Sequence, residues 1–542
     1  MIRTYLFSLL FFSTLLVNAQ HNIQLVKALK LPVNEFITTG VDFNGKYIFS
    51  TTKSLWVSDG TDGGTVMLNQ DFQALQFYKS SGLVFMIVQH KQDGRTLWVT
   101  DGTQAGTKQV NGKTNWVWSN STSGCAGIRK NELYFFANDG QHGWEIWKSD
   151  GTDAGTVMIK DINPAGDCFT TSSDASLLVV GSTVYFSAND NLHGPELWTT
   201  NGTEAGTKMV TDLLPGQEGV NPYSFLRFDN KLVFSTAPPY PSEFYKLCMS
   251  DGTESGTYVV ADFYDASGEY LELNSKLYLL GYGDTTTVMY TTNGQPGNLI
   301  KLGKAELSAT IFRRNFFTAL NNKIYFTHFK RETGSEIWET DGTSGGTRMT
   351  KDVYPYAINN LAYSSQPGYL TSFGNRLFFR ALDSTGISYI WSSDGTEAGT
   401  KVVPYQPAET LPPNLMRTFA HRNYMHVVGD ELYFGAAWEK HGDTIQTTAL
   451  YKMNLFPTSV RNVKHTATLA LYPNPTKDLI SFNCTDAVAV FVCNMAGNVV
   501  LQDKLSGAEN HRINVSNLPA GLYTITVNKT DNSSSSAVFI KE

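Results

Sequence analysis

The sequence predicts an all-β chain: a closed β-propeller of eight or nine four-stranded blades, followed by a small C-terminal β-sandwich. Three observations predict it. Asp/Asn-Gly turns recur along the 542 residues, beginning at Asp59, Asp101, Asp150, Asn201, Asp251, Asn293, Asp341 and Asp394, 42 to 53 residues apart. Three residues before each turn stands Trp56, Trp98, Trp147, Trp198, Cys248, Tyr290, Trp338 or Trp391. Aromatic residues are 13% of the chain and Gly supplies 46 positions, a composition of short strands and tight turns.

The chain opens with an export signal. Arg3 precedes the apolar run Tyr5 to Val17, and Val17-Asn18-Ala19 ends in a small residue. That is the order a signal peptidase reads, and the run is shorter than the ~20 residues needed to span a bilayer. Residues 1–19 are therefore expected to be a signal peptide, with no transmembrane segment after them.

Residues 20–455 are expected to form the propeller. In the sample unit, Val157 to Ile162, Leu177 to Val180, Thr183 to Ser187 and Glu196 to Thr199 each read as a strand rich in β-branched and aromatic residues. Four short strands per unit of roughly 40–50 residues is the pattern of a propeller blade. Nine units are counted, the last, near Tyr424 to Asn454, lacking its final strand. Ile23 to Leu29 reads as that missing strand, so the two ends of the segment complete one blade and remove an exposed sheet edge.

Glu145-Ile146-Trp147-Lys148-Ser149-Asp150-Gly151-Thr152, Glu196-Leu197-Trp198-Thr199-Thr200-Asn201-Gly202-Thr203 and the run 336–343 resemble the ELWxxDGT-repeat proteins of secreted bacterial origin. The resemblance covers residues 23–454, implies the propeller fold, and brings no catalytic residues with it.

A polar linker, residues 456–467, leads to residues 468–542. Alternating strands and Gly turns there suggest a β-sandwich able to fold alone. Leu471-Tyr472-Pro473-Asn474-Pro475, Gly497-Asn498-Val499-Val500 and Leu518-Pro519-Ala520-Gly521-Leu522-Tyr523 resemble the type A C-terminal sorting domain of the type IX secretion system of Bacteroidota. The resemblance implies the secretion translocon and its sortase as partners. It also implies a secreted or outer-surface location, reached after signal-peptide export to the periplasm.

Charged residues are 17% of the chain, 42 basic against 49 acidic, and no dense basic stretch marks a nucleic-acid surface. The loops between the third and fourth strand of the sample pattern repeat a polar set: Asn138-Asp139-Gly140-Gln141-His142-Gly143-Trp144, Asn189-Asp190-Asn191-Leu192-His193-Gly194-Pro195, and an echo at Trp438 to His441. His, Asp and Glu there have metal-ligand chemistry. Repetition instead favours a structural need, with Gly shaping the loop, Asp or Asn capping it and Glu pairing along the strand edge. Ca²⁺ at the Asp-Gly-Thr turns is a weak alternative, because no calcium-loop spacing is present; no cofactor is called for. Non-repeating aromatics are better binding candidates: Trp116 and Trp118 between blades, Tyr240 among prolines, and Trp144 and Trp438 in loops. The candidate binding face is thus Trp116, Trp118, Asp139, His142, Trp144, Asp190, His193, Tyr240, Trp438 and His441.

Five cysteines leave at least one unpaired within the chain; Cys484 and Cys493 lie on adjacent expected strands and could pair. No Cys-x-x-Cys, His-Glu-x-x-His, Gly-x-Ser-x-Gly or phosphate loop is present. The reading is a non-catalytic secreted or surface propeller whose loops bind a glycan or protein. The alternatives are an extracellular hydrolase or lyase acting on carbohydrate, and a structural component of a surface matrix.

Overall fold

A computed structural model describes residues 22–29, 31, 35–90, 94–110, 125–169, 176–237, 245–263, 265–282, 287–304, 317–343, 345–355, 357–358, 361–403, 415–418, 425–440, 447–454, 469–494, 499–505, 509–529 and 534–542. The expected signal peptide and linker lie outside these. Every regular element is a β-strand, and the described residues contain no helix. The described residues fall into two compact units, Asn22–Asn454 and the part within Leu455–Glu542.

The first unit is a succession of antiparallel sheets, numbered here in chain order. Sheets 1 to 8 each have four strands in sequential order and span 37–70, 73–109, 126–160, 177–211, 222–262, 265–304, 317–351 and 368–402. In sheet 3 these strands are Ala126–Arg129, Glu132–Asn138, Trp144–Ser149 and Val157–Lys160. Sheet 9 holds Leu415–Thr418 and His426–Val428 against Glu431–Lys440, which pairs with Thr447–Asn454. Its last place is taken by the first strand of the unit, Asn22–Ala28, running antiparallel to Thr447–Asn454 from Asn22↔Asn454 to Ala28↔Ala449.

The sequence explains the layering. The second strand of sheet 3, Leu133-Tyr134-Phe135-Phe136-Ala137, is buried on both faces, so it carries no polar alternation. Its turn from the first strand uses Lys130 and Asn131, both at positive φ (48° and 67°), the geometry that matches strand twist in a two-residue hairpin. The third-strand Trp faces an aromatic or aliphatic residue of the second: Trp56↔Phe49, Trp98↔Met86, Trp147↔Phe135, Trp198↔Phe186, Trp338↔Phe326 and Trp391↔Phe379. Trp56, Trp147, Trp198 and Trp391 are buried, so this series is core.

Neighbouring sheets touch through their first strands, from sheet 1 against sheet 2 onward to sheet 7 against sheet 8, and His426–Val428 of sheet 9 lies against Ile37–Phe43 of sheet 1. A second contact recurs. The hydroxyl of a second-strand Tyr lies over the Gly of the next sheet's turn: Tyr134 over Gly202, Tyr185 over Gly252, Tyr278 over Gly342, Tyr325 over Gly395, and Tyr433 of sheet 9 over Gly60 of sheet 1.

The second unit pairs a three-stranded sheet, in the order Leu471–Tyr472, Leu479–Asn483 and Asn510–Asn514, with a four-stranded one. The latter runs Val499–Lys504, Ala487–Asn494, Gly521–Lys529 and Ser534–Lys541. Their alternating inward residues, Ile480, Phe482, Val490, Val492, Ile513, Ile525, Val527 and Phe539, form its core. The edge of Ser534–Lys541 is covered by the Asn-Pro-Thr segment. Asn474 donates from Nδ2 to the Val538 carbonyl and accepts from the Ile540 N–H, both at 3.0 Å, and the Thr476 N–H donates to the Ile540 carbonyl at 2.9 Å. Asn474 thus acts as a strand would.

None of the five cysteines forms a disulfide. Cys484 follows a strand of the three-stranded sheet and is buried in the core. Cys493 sits in the four-stranded sheet beside the inward Val492 and so faces the other side. The pairing open on sequence grounds is not made.

Candidate functional site

The loops that carry the polar set join the second and third strands. In sheet 3, Asp139 organises its own loop: Oδ1 accepts the N–H groups of Gln141 and His142 at 2.9 and 3.0 Å, and Oδ2 meets His142 Nδ1 at 2.8 Å. In sheet 4, Asp190 does the same for Leu192 and His193, with Nδ1 again at 2.8 Å. Partial burial would raise Asp139, but the N–H and ring of His142 hold its carboxyl at about 2. His142 and His193 are raised above the ordinary imidazole value by the hydrogen bond and charge of their Asp partners. Each imidazole is therefore fixed through Nδ1 and presents its other edge to solvent.

Gly143 and Gly194 close these loops at φ 73° and 71°, where the next segment passes so near that a Cβ would stand 2.6 Å from the Gly166 carbonyl oxygen or 2.5 Å from the Gly219 nitrogen. The chain crossing from sheet 3 to sheet 4 is tied on by the Trp144 N–H to Asp167 Oδ1 at 3.0 Å and the Cys168 N–H to the Trp144 carbonyl at 2.9 Å. Trp144 is half-buried, and its ring stacks on Phe169 at 6.1 Å.

Two expectations are corrected. Trp144 begins the strand Trp144–Ser149, because pairing starts at Asn138↔Trp144 immediately after Gly143. Trp438 also lies in a strand, where it is in register with Arg417 of one neighbouring strand and Thr447 of the other. Trp116, Trp118, Tyr240 and His441 lie outside the described residues. Of the ten candidates, Asp139 is brought together with His142, and Asp190 with His193; Trp144 begins the strand that follows the first of these pairs.

Sequence reasoning misread the Glu that opens each repeat motif. Glu145, Glu196 and Glu336 are wholly buried and do not pair along an edge. Each holds the crossing segment by its backbone. Glu145 accepts the N–H groups of Ile162 and Asn163 at 2.8 and 3.2 Å, and Glu196 those of Leu213 and Leu214 at 3.2 and 3.3 Å. Glu336 accepts the N–H groups of Val353 and Ser365, both at 3.0 Å, and the Ser365 hydroxyl at 2.7 Å. Burial, opposed by these bonds, pushes Glu145 up to about 8 and Glu196 and Glu336 up to about 7. The signal was present in the sequence as a Glu at an otherwise apolar strand position.

The Asp-Gly-Thr turns join the third and fourth strands, away from these loops along the strands. In sheet 3, the Thr152 N–H and hydroxyl donate to Asp150 Oδ1 at 2.8 and 2.7 Å, the Gly155 N–H donates to Thr152 Oγ1, and Thr156 donates to the Thr152 carbonyl at 2.6 Å. Ser149 completes the set, bonding Thr156 Oγ1 at 2.7 Å and accepting the Gly151 N–H at 3.1 Å. Gly155 is required because the Asp150 carboxylate occupies the space of its Cβ. Asn201 makes the same bonds to Thr203 at 3.1 and 2.8 Å, so the turn needs an acceptor oxygen and not a charge. That agrees with reading these residues as turn formers.

Residues 470–541 match the family described as the secretion system C-terminal sorting domain. The chain therefore carries a sorting domain, which implies export to the cell surface or the medium. The Leu-x-x-Gly-x-Tyr segment has a structural role within it: the Tyr523 hydroxyl donates to the Pro519 carbonyl at 2.8 Å, and its ring stacks on Phe539. No helix among the described residues is long and apolar enough to cross a membrane.

No curated protein matches the sequence. Solved structures that resemble it include a puromycin hydrolase, at 13% identity and TM-score 0.35, over 70% of this chain and 61% of that one. A Mycobacterium tuberculosis puromycin-hydrolyzing peptidase matches at 11% and 0.36, over 68% and 58%. Prolyl oligopeptidase B from Galerina marginata matches at 10% and 0.37, over 66% and 56%. The chain spans about three fifths of the length of the first of these. Likeness at this level carries no activity to this chain.

Proposed function

We propose that residues 22–454 form a closed nine-bladed propeller that is exported through the type IX secretion system and binds an extracellular glycan or protein without chemical turnover. Closure is supported by Asn22–Ala28 completing sheet 9 and by Tyr433 reaching Gly60 as a Tyr of sheets 3, 4, 6 and 7 reaches the next sheet's turn. The translocon and its sortase are the partners of the sorting domain. The binding face is the end where the second-to-third-strand loops meet the crossing segments, with His142 and His193 exposed on it.

The observation that carries a binding role over a catalytic one is that Asp139, Asp190 and the three buried Glu are each committed to shaping or holding the loops of that face. The test is a glycan array and polysaccharide pull-down with the purified protein, with and without Ca²⁺, alongside an assay for released sugars or peptides. Saturable binding without product supports the reading. Turnover moves the assignment to a hydrolase or lyase.

A further inference from the structure

Glu145, Glu196 and Glu336 each have a second carboxylate nearby, Asp161, Asp212 and Asp352, whose charge adds to the rise of the Glu carboxyl. Ile146 pairs with Lys160, so the next positions outward are Glu145 and Asp161. Leu197↔Thr211 likewise leads to Glu196 and Asp212, and Ile337↔Lys351 to Glu336 and Asp352. Directly opposed side chains on antiparallel strands have Cβ atoms roughly 5 Å apart, and like charges there repel. Sheet 5 shows the ordinary solution at the same two positions: Lys246 pairs with Asp262, with Nζ 3.2 Å from Oδ1.

Sheets 3, 4 and 7 have no such cation. One oxygen of each Asp (Asp161, Asp212, Asp352) is buried and has no hydrogen-bond partner among the described residues. The groups around the pairs add little positive charge. Asp167 and the Cys168 thiol surround Glu145, with His142 beside Asp161. His193 stands near Glu196 and Asp212. In sheet 7, His328 faces Glu336 across the strands, but burial with Lys330 nearby pushes it down to about 4, so it stays neutral.

We propose that each of these three sites is a proton-holding site: the Glu keeps its proton at mildly acidic pH, and its loss on the alkaline side loosens the crossing segment that the Glu grips. Two carboxylates at one site cannot both ionise cheaply. When the Glu proton leaves, the new charge sits buried beside Asp, and the segments at 162–169, at 213–221 and at 353–355 with 361–365 lose part of their anchorage. Because the same segments build the proposed binding face, the order of that face follows external pH. The inference concerns the fold alone and stands whatever ligand the face takes.

Hydrogen exchange of the intact protein tests it, with rates corrected for the intrinsic effect of pH. Between about pH 6 and about pH 9, protection of the three segments is expected to fall about tenfold, the equivalent of one unit of pKa. The crossing after Asp262 in sheet 5 is expected to hold. Asp161→Asn keeps the Glu145 bonds and removes the neighbouring charge while the burial of Glu145 remains, so it is expected to reduce the change at 162–169 while leaving 213–221 as before. Equal slopes in all four segments, or an unchanged slope in Asp161→Asn, would overturn the proposal. Infrared spectra give an independent reading. A protonated-carboxyl band at neutral pH is expected, reduced in Glu145→Gln; its absence from the wild-type protein would also overturn it.

Discussion

The hydroxyl of Tyr433 lies 2.6 Å from where a Cβ of Gly60 would be, although the two residues belong to the last and first sheets of their unit. Gly60 also has φ 86°, a conformation that L side chains resist. Gly60→Ala is therefore expected to destabilise the unit by on the order of 2 kcal/mol. Tyr433→Phe, which removes the hydroxyl, should recover part of that loss in the double variant. Denaturant midpoints of the four proteins form the cycle. Strict additivity would mean that the two sheets do not meet.

The turn chemistry predicts an asymmetry. Asp150→Asn should be nearly neutral, as Asn201 already demonstrates at the same position in sheet 4. Asp150→Ala removes the acceptor for both Thr152 bonds and should cost about 1 kcal/mol, in the range of a lost cap. Gly155→Ala should cost more than either, because the carboxylate must be displaced. Equilibrium unfolding checks the ranking.

Stability should depend on pH with a definite sign. The folded state raises Glu145 to about 8 and Glu196 and Glu336 to about 7, above the unfolded carboxylate near about 4.3. Folding thus binds protons between those values. The stabilisation is full below about pH 4 and is lost as pH rises through about 7 to 8. Asp139, held at about 2, works oppositely: its contribution is present above about pH 4 and fades as pH falls toward 2. Urea midpoints from mildly acidic to mildly alkaline pH should decline, and the decline should be shallower in Glu145→Gln. A rising midpoint would contradict the buried-carboxylate account.

Asn474 predicts a phenotype in the sorting domain. Asn474→Ala removes two hydrogen bonds to Ser534–Lys541 and should cost about 1–2 kcal/mol. Hydrogen exchange should rise selectively at 538–540, and secretion should drop if the translocon reads a folded edge. Normal exchange there would show that the side chain does not cover the strand.

Thiol reactivity should separate the cysteines. Cys168 is fully buried, and burial with the charges of Glu145 and Asp167 pushes its thiol up. Cys493 is only partly buried. In the native protein, an alkylating reagent should label Cys493 first and Cys168 only on unfolding. Mass spectrometry of the labelled peptides reads the order.

Much of the fold was legible because each repeat signals through local chemistry. Asp-Gly-Thr fixes a turn within a few residues, and the Trp three positions earlier fixes the buried strand face. The strand Asn22–Ala28 was legible as an orphan at one end whose unit was short of a strand at the other. What failed were contacts between segments far apart in sequence. Glu145 reads from sequence as a strand-edge residue, because nothing local announces that Ile162 and Asn163 return to cover it. Trp144 and Trp438 read from sequence as loop residues, but Gly143 and the long pairing of Glu431–Lys440 set where the strands begin and end. His142 and His193 were legible as a repeated pair, but their orientation by Asp139 and Asp190 required coordinates.

The eight residues from Ser149 to Thr156 answer their own side-chain oxygens and turn amides almost entirely among themselves. A segment of that kind keeps its shape wherever the chain puts it. Copying or deleting one unit therefore leaves the other turns of this kind intact and asks only that the preceding sheet fit a side chain against the next glycine, as Tyr134 does at Gly202 and Leu83 at Gly151. The number of sheets can therefore change by whole repeats without altering the chemistry of any one turn.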